Sequence, residues 1–181
     1  MNIGFTGFDQ VGKDTAADFC LWYYRRFNPV LKCAFADEAK KDLAIPIAKC
    51  LQEGLSKEQI RPMITAYTEA IRHKDSMYWI NRFSSLDRIS QSRFFTSGQR
   101  ASNMDFFSDI RTKEEVEWLK QTDPRTKIIR IIRDGCETTN TAEATIEIVE
   151  ADCCIYNNFS KLHLYNRIIE AIVSFFGKEY L

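Results

Sequence analysis

The sequence predicts an α/β fold, a three-layer α/β/α sandwich on a central parallel sheet of about five strands. Short apolar runs of strand length alternate along the chain with longer segments of helical periodicity, the order typical of repeated βα units. Polar clusters follow several of the apolar runs, and ligands of such sheets collect at the carboxyl ends of the strands. The chain has 181 residues, of which 45% are hydrophobic. We therefore expect one domain over residues 1–181.

The predicted elements alternate in type from one end of the chain to the other. Strands are predicted at 3–6, 30–36, 104–108, 127–132 and 153–156. Helices are predicted at 13–27, 37–51 with Asp37 as N-cap, from a Ser56–Gln59 capping box onward, at 67–85, from a Thr112–Glu115 capping box to 120, and from Ser160 to 176. Residues 88–103 and 134–141 are predicted to be polar loops, and 145–150 is ambiguous between strand and helix.

The charge balance excludes broad classes of partner. The chain carries 25 basic and 25 acidic side chains, and its formal net charge is zero. Such a balance gives no general attraction to nucleic acid or to a membrane surface, so we expect neither as a partner. An anionic ligand must then be bound by a local cluster of cations.

The six cysteines predict a reducing compartment. None of them forms a C-x-x-C pair, and with only two histidines a zinc site is not expected. No apolar run approaches the length of a membrane span, and no signal peptide is expected at the N-terminus. These features predict a cytoplasmic protein with reduced thiols, in the host cytoplasm if the chain is viral.

Residues 7–13 match the pattern G-x-x-x-x-G-K between the first strand and the first helix. Glycines at both ends let successive backbone N–H groups form an anion nest, and the helix directs its positive end to the same point. Lys13 adds a full charge, and we expect its ammonium group in solvent at the start of the helix. The residues predicted to bind the phosphates of ATP are Gly7, Asp9, Gln10, Val11, Gly12, Lys13, Asp14 and Thr15.

Two aspartates are candidates for organising Mg²⁺. Asp14 stands where serine or threonine usually ligates the metal, and it can bind Mg²⁺ through water, act as a base, or only stabilise the first turn of the helix. Asp109 follows an apolar strand and either orients metal-bound water or caps the next helix. Arg111, two residues later, either clamps a phosphate or lies on the surface.

Residues 12–19, Gly-Lys-Asp-Thr-Ala-Ala-Asp-Phe, resemble the phosphate-binding loop of deoxynucleoside monophosphate kinases, best known from tailed phages. The likeness continues in scattered blocks along the chain. These blocks are 35–40, Thr68-Glu69-x-x-Arg72 with Met77-Tyr78-Trp79, Ser108-Asp109-Ile110-Arg111, Ile131-Ile132-Arg133 and 152–160. Glycines usual in that family are replaced here by Tyr67 and Phe159.

The resemblance implies a P-loop NTPase fold and transfer from ATP, with Mg²⁺, to a (deoxy)nucleoside 5′-monophosphate. The implied catalytic residues are Lys13, Asp14, Asp109 and Arg133, with Asp14 and Asp109 binding the metal through water. Acceptor binding is implied for Lys40, Arg72, Trp79 and Arg111, and Asn158 lies in the loop beside the adenine. The partner is then a small-molecule nucleotide, and a homodimer is left open.

Alternatives remain at this point. One alternative is a related kinase whose acceptor is phosphomevalonate or dephospho-coenzyme A. Another is a nucleotide-binding module with little turnover. Tyr78 and Trp79 either stack on a nucleobase or pack in the core. Residues 56–103 form a candidate lid or acceptor-binding region, in which Arg93 or Arg100 could reach a phosphate on closure.

Overall fold

The structure is a computed structural model that describes residues 1–27, 30–85, 104–136 and 145–178. The chain divides into two compact units, a sheet unit of Met1–Cys33 with Ser90–Leu181 and a helical unit of Ala34–Ile89. The candidate lid falls within the helical unit up to residue 85. Its remainder, with Arg93 and Arg100, lies outside the described residues, as does most of the predicted loop at 134–141.

The sheet unit contains the parallel sheet that the sequence predicts. Its strands are β1 (Asn2–Thr6), β2 (Lys32–Cys33), β3 (Asp105–Ile110), β4 (Lys127–Ile132) and β5 (Cys153–Tyr156). They are arranged in the order β2-β3-β1-β4-β5, and every neighbouring pair is parallel. Helices cover the sheet, so the predicted three-layer fold is confirmed.

One face of the sheet packs against two long helices. Helix α1 (Lys13–Tyr24) follows β1, and the last helix of the unit (Lys161–Phe176) follows β5. Alternate strand residues such as Ile3, Phe5 and Ile129 are fully buried in this layer. Because these strands are hydrophobic on both faces, they are typical of a buried parallel sheet.

The opposite face carries smaller elements. A helix at Lys113–Thr122, which begins at the predicted Thr112–Glu115 capping box, connects β3 to β4. The ambiguous segment 145–150 contains a 3₁₀ helix at Thr145–Ile148. The guanidinium group of Arg130 in β4 donates to the carbonyl oxygens of Ile146 and Val149, which fixes this turn against the sheet.

The helical unit departs from the prediction at its beginning. It contains α2 (Ala36–Asp42), α3 (Ala44–Gln52), α4 (Lys57–Lys74) and α5 (Tyr78–Ser85). In the sheet unit, the two helices already described are numbered α6 (Lys113–Thr122) and α7 (Lys161–Phe176). The predicted strand 30–36 is reduced to β2, since α2 already begins at Ala36; Phe35, directly before this helix, packs edge-on against Phe83 with 5.2 Å between ring centroids. The predicted cap at Asp37 is wrong, since Phe35 occupies the N-cap position.

The later helices of this unit keep the predicted signals. The Ser56–Gln59 capping box opens α4 as expected. The predicted helical stretch 67–85 is divided, because Asp75 ends α4 in an extended conformation and its carboxylate accepts a hydrogen bond from the Met77 amide at 2.9 Å. Across the described residues, none of the helices has the length and apolar character needed to cross a membrane.

Candidate phosphate-binding site

The loop between β1 and α1 is folded so tightly that two of its positions require glycine. Gly7 and Gly12 have φ angles of 138° and 107°. A Cβ atom on Gly7 would lie 2.3 Å from the carbonyl oxygen of Ile131, and one on Gly12 would lie 2.6 Å from Nδ2 of Asn157. Gln10 also has a positive φ, 63°, so the loop stores backbone strain where a ligand site is expected.

The ammonium group of Lys13 is buried under this loop. It donates hydrogen bonds of 2.7 Å to the carbonyl oxygens of both Gly7 and Phe8, and the residue is only 6% exposed. The expectation of a solvent-exposed ammonium group is therefore wrong. The curled loop presents its own carbonyl groups inward, and the lysine satisfies them.

Asp109 faces Lys13 from a bulge in the neighbouring strand. Gly4 of β1 pairs with Phe107, but Thr6 pairs with Ile110, so β3 holds one extra residue opposite β1. Asp109 accommodates it with a φ of 65°. A bulge of this kind redirects a side chain at a site. It aims the carboxylate at the loop, with 3.4 Å between Oδ1 and Nζ of Lys13.

The charge of Asp109 is stabilised by its two cationic neighbours. Nε of Arg111 donates to Oδ2 at 2.9 Å, whereas the buried Oδ1 accepts no hydrogen bond from the described residues. Burial alone would raise the pKa of this carboxyl group. The charges of Arg111 and Lys13 outweigh that effect, so the pKa lies below its usual value.

Arg111 extends this pairing to the outer part of the loop. Its Nη2 donates to Oδ1 of Asp9 at 3.3 Å, and its backbone N–H donates to the buried carboxylate of Glu115 at 2.7 Å. Burial would lower the pKa of the guanidinium, but Asp109 and Asp9 raise it. Lys13, Asp109, Arg111 and Asp9 thus form a series of alternating charge, here called the charge chain. The sequence did not reveal that Glu115 supports Arg111, although it did predict Glu115 as part of the capping box.

The loop after β5 supports the loop between β1 and α1 through a side-chain hydrogen bond. Nδ2 of Asn157 donates to the carbonyl oxygen of Val11 at 2.7 Å. The next residue, Asn158, accepts from the backbone N–H of Asp134 at 2.9 Å and donates to its carboxylate at 2.7 Å. Arg133, directly before Asp134, is exposed. Asn157 was not identified from the sequence, where the only signal was a pair of asparagines directly after a strand.

Asp14 and Thr15 lie in the first turn of α1. The side chain of Asp14 is 76% exposed, and its Oδ1 lies 3.0 Å from Nζ of Lys32 in β2. Lys32 also binds Asp18 at 2.8 Å, one turn further along the helix. Burial would lower the pKa of Lys32, but the bonds to Asp18 and Asp14 raise it. Asp14 is thus engaged on the side of α1 that faces β2.

The acceptor residues implied by the resemblance lie in the helical unit, apart from Arg111. Lys40 is exposed and pairs with Asp37 at 2.8 Å, and Nη1 of Arg72 donates to Glu69 at 2.7 Å. Trp79 is 1% exposed, and its indole N–H donates to the carbonyl oxygen of Thr68 at 3.3 Å. Because Trp79 is in the core, it has no exposed face on which a nucleobase can stack.

A polar cluster that the sequence did not reveal connects α2 to α5. Nη1 of Arg82 donates to Asp42 at 2.8 Å, and its Nε lies 3.8 Å from the buried carboxylate of Glu38. Tyr67 of α4 donates its hydroxyl to the same Asp42 at 3.2 Å. The cluster links three helices of the unit and therefore stabilises their packing.

Searches for relatives by sequence gave nothing: neither a family model nor a curated protein matches the chain. Solved structures match it in fold. Shikimate kinase from Aquifex aeolicus vf5 is 15% identical, with 98% of this chain and 99% of that chain covered and a TM-score of 0.51. A gluconokinase from Sinorhizobium meliloti 1021 is 10% identical, with coverage of 99% and 95% and a TM-score of 0.47. TT1252 from Thermus thermophilus is 16% identical, with 96% of each chain covered and a TM-score of 0.46. The first of these shows that the chain has the fold of a P-loop kinase.

Proposed function

We propose that the protein transfers the γ-phosphoryl group of ATP to a (deoxy)nucleoside 5′-monophosphate, giving ADP and the nucleoside diphosphate. The observation that supports this best is the loop of residues 7–13, whose lysine lies under the loop and faces a strand-end carboxylate. The fold shared with shikimate kinase supports phosphoryl transfer as the reaction class. The nucleotide acceptor rests on the resemblance of the sequence blocks to deoxynucleoside monophosphate kinases.

The donor side of the reaction depends on positioning and charge. Backbone groups of the loop and the N-terminus of α1 bind the phosphates, and Lys13 follows the charge of the group being transferred. When ATP binds, phosphate oxygens replace the carbonyl oxygens of Gly7 and Phe8 as acceptors of the ammonium group, which then stabilises the charge that develops on the phosphoryl oxygens. Arg133 is exposed beside the loop after β5, and we propose that it neutralises charge on the nucleotide. Asn158 then contacts the base side of ATP.

Mg²⁺ fits one of the two predicted carboxylates better than the other. Oδ1 of Asp109 is buried and accepts no hydrogen bond from the described residues, so it can accept one from a metal-bound water. Mg²⁺ in such sites keeps several waters and takes only one or two carboxylates. Both carboxylates have a cationic neighbour, but that of Asp109 faces the loop, 3.4 Å from Lys13, whereas Asp14 pairs with Lys32 on the side of α1 that faces β2. When bound, the ion neutralises charge on the β- and γ-phosphates.

On the acceptor side, we propose that Lys40 and Arg72 bind the phosphate of the monophosphate. Each is paired with an acid three residues earlier on its own helix, Lys40 with Asp37 and Arg72 with Glu69. An arginine can bind a phosphate with two parallel hydrogen bonds, whereas a lysine supplies a point charge. The rival acceptors remain phosphomevalonate and dephospho-coenzyme A.

The test measures ADP release with ATP, Mg²⁺ and one candidate acceptor at a time. The panel holds all nucleoside and deoxynucleoside monophosphates, phosphomevalonate, dephospho-coenzyme A and shikimate. We expect a nucleoside monophosphate to stimulate release and the others not to, with the Lys13→Met variant as the inactive control. Stimulation by a different acceptor would replace the proposed substrate. ATP binding without stimulation by any acceptor would favour a nucleotide-binding module.

A further inference from the structure

The outer end of the charge chain joins a residue of the loop to a cation from another strand. Asp9 is the second residue after Gly7, and Arg111 follows β3, 102 positions later in the sequence. The Asp9 side chain is 26% exposed and that of Arg111 is 16% exposed. The two side chains therefore meet at the partly exposed end of the charge chain, whereas Lys13 is buried at its other end.

Arg111 is held by three contacts, two of them on its guanidinium group and one on its backbone. Nε binds Asp109, Nη2 binds Asp9, and the backbone N–H is held by Glu115, a buried residue of the α6 capping box. Holding the backbone and Nε limits the directions in which Nη1 and Nη2 can point. The carboxylate of Asp9 thus accepts a hydrogen bond from an arginine that is already oriented, as a phosphate oxygen would.

The formal charges of Lys13, Asp109, Arg111 and Asp9 sum to zero. A polyphosphate entering the loop therefore competes with Asp109 and Asp9 for the two cations, Lys13 and Arg111. Asp109 is the more tightly held acid, since both Lys13 and Arg111 contact it. The contact between Asp9 and Arg111 is the longer of the two arginine contacts, 3.3 Å against 2.9 Å, and the more exposed one.

We propose that Asp9 is a positioning residue that holds Arg111 at the loop as an internal stand-in for phosphate, and that the polyphosphate of the donor displaces it. Arg111 is then a ligand of the donor rather than of the acceptor. This inference rests on the proposed function, because it takes the loop of residues 7–13 to be the donor site. It assigns to Asp9 a role that ends when the ligand binds.

The experiment measures the dissociation constant of inorganic tripolyphosphate by calorimetry in EDTA, so that no metal ion complicates the charge balance. We expect Asp9→Asn to bind about three- to fivefold more tightly than the wild type, the size of effect typical of a partly exposed ion pair. Asp9→Glu keeps the competing charge and should not bind tripolyphosphate more tightly than the wild type. Glu170→Gln, which removes an acid paired with Arg167 on α7, controls for net charge and should not change the affinity.

The same measurement in an Arg111→Ala background isolates the pair. The arginine variant should bind tripolyphosphate at least about tenfold more weakly, and Asp9→Asn should then have no further effect, since interacting residues are non-additive. Unchanged or weaker binding by Asp9→Asn overturns the inference. Tighter binding in both backgrounds also overturns it, because that result would reflect net charge alone. If the wild type does not bind tripolyphosphate even with Mg²⁺ present, the proposed donor site itself fails.

Discussion

The polar groups of the two units are held in different ways. In the sheet unit, the charge chain joins residues that are about 100 positions apart, and one of its members, Asp109, has a backbone conformation of positive φ. In the helical unit, Lys40 and Arg72 are each paired with an acid three residues away on their own helix. The first arrangement is fixed by the fold, whereas the second is made within single helices, and the pair of Lys40 with Asp37 lies on the surface, where it can be exchanged for a ligand at little cost. The difference predicts that changes in the sheet unit affect transfer and the binding of the donor, and that changes in the helical unit affect the affinity for the acceptor.

The largest effect is expected from Lys13→Met. Methionine keeps most of the length and apolar volume of the buried side chain but removes the charge and its bonds to Gly7 and Phe8. Loss of a preorganised cation at the transferring group should lower kcat by about 100-fold or more. The measurement is single-turnover ADP formation, with circular dichroism to show that the variant is folded. A folded variant that keeps more than about a tenth of the activity would contradict the assigned role.

Asp109→Asn should have the next largest effect. Asparagine keeps the size of the side chain and tolerates the positive φ of this position, but it loses the charge that faces Lys13 and Arg111. We expect kcat to fall by about tenfold to 100-fold and the Mg²⁺ concentration at half-maximal rate to rise, since one preorganised charge is lost. A titration of activity with Mg²⁺ checks both. An unchanged titration with an unchanged maximal rate would make Asp109 a purely structural residue.

For the helical unit, we expect Lys40→Ala and Arg72→Ala each to raise the acceptor KM about tenfold, the equivalent of about 1.4 kcal/mol. The KM for ATP should stay nearly the same. Asp37→Asn and Glu69→Gln are matched controls, because they break the same ion pairs but keep the cations. If the controls behave like the alanine variants, the pairs matter for the helices and the cations do not bind the acceptor.

Sequence reasoning succeeded where the signal was local. The apolar runs predicted the five strands, although the second is shorter than predicted, and both capping boxes are present as predicted. It failed where the outcome depends on residues far apart in the chain. The burial of Lys13 depends on how the loop curls, the orientation of Asp109 depends on pairing with β1, and the contact of Asn157 with Val11 spans 146 positions. None of these leaves a pattern in a short window.

Asn157→Ala tests whether the support from β5 matters to the donor site. The change removes the hydrogen bond to the Val11 carbonyl, which we expect to cost about 1 kcal/mol in the free energy of unfolding. The same loss of loop support should raise the KM for ATP about fivefold and leave the acceptor KM unchanged. Thr122→Ala is the control, because it removes a hydrogen bond to the carbonyl oxygen of Trp118 within α6 and touches no residue of the loop. Equal effects of the two variants on the KM for ATP would mean that the lost stability, and not the support of the loop by Asn157, changes ATP binding.

The smallest effect concerns how the free energy of unfolding changes at low pH, which we expect to differ between an acid of the sheet unit and an acid of the helical unit. The pKa of Asp109 is lowered in the folded protein: burial opposes the charged form, but Arg111 and Lys13 outweigh it. Its charge therefore contributes stability that is present above the unfolded pKa, near 4, and is lost as the pH falls through the lower folded value. Asp109→Asn should thus be less stable than the wild type in urea at pH 7, and the difference should shrink steadily below about pH 4. The exposed-acid control Asp37→Asn should change stability little at pH 7, since its ion pair lies on the surface. A difference between Asp109→Asn and the wild type that stays constant down to pH 2 would mean that the charge of Asp109 does not stabilise the fold.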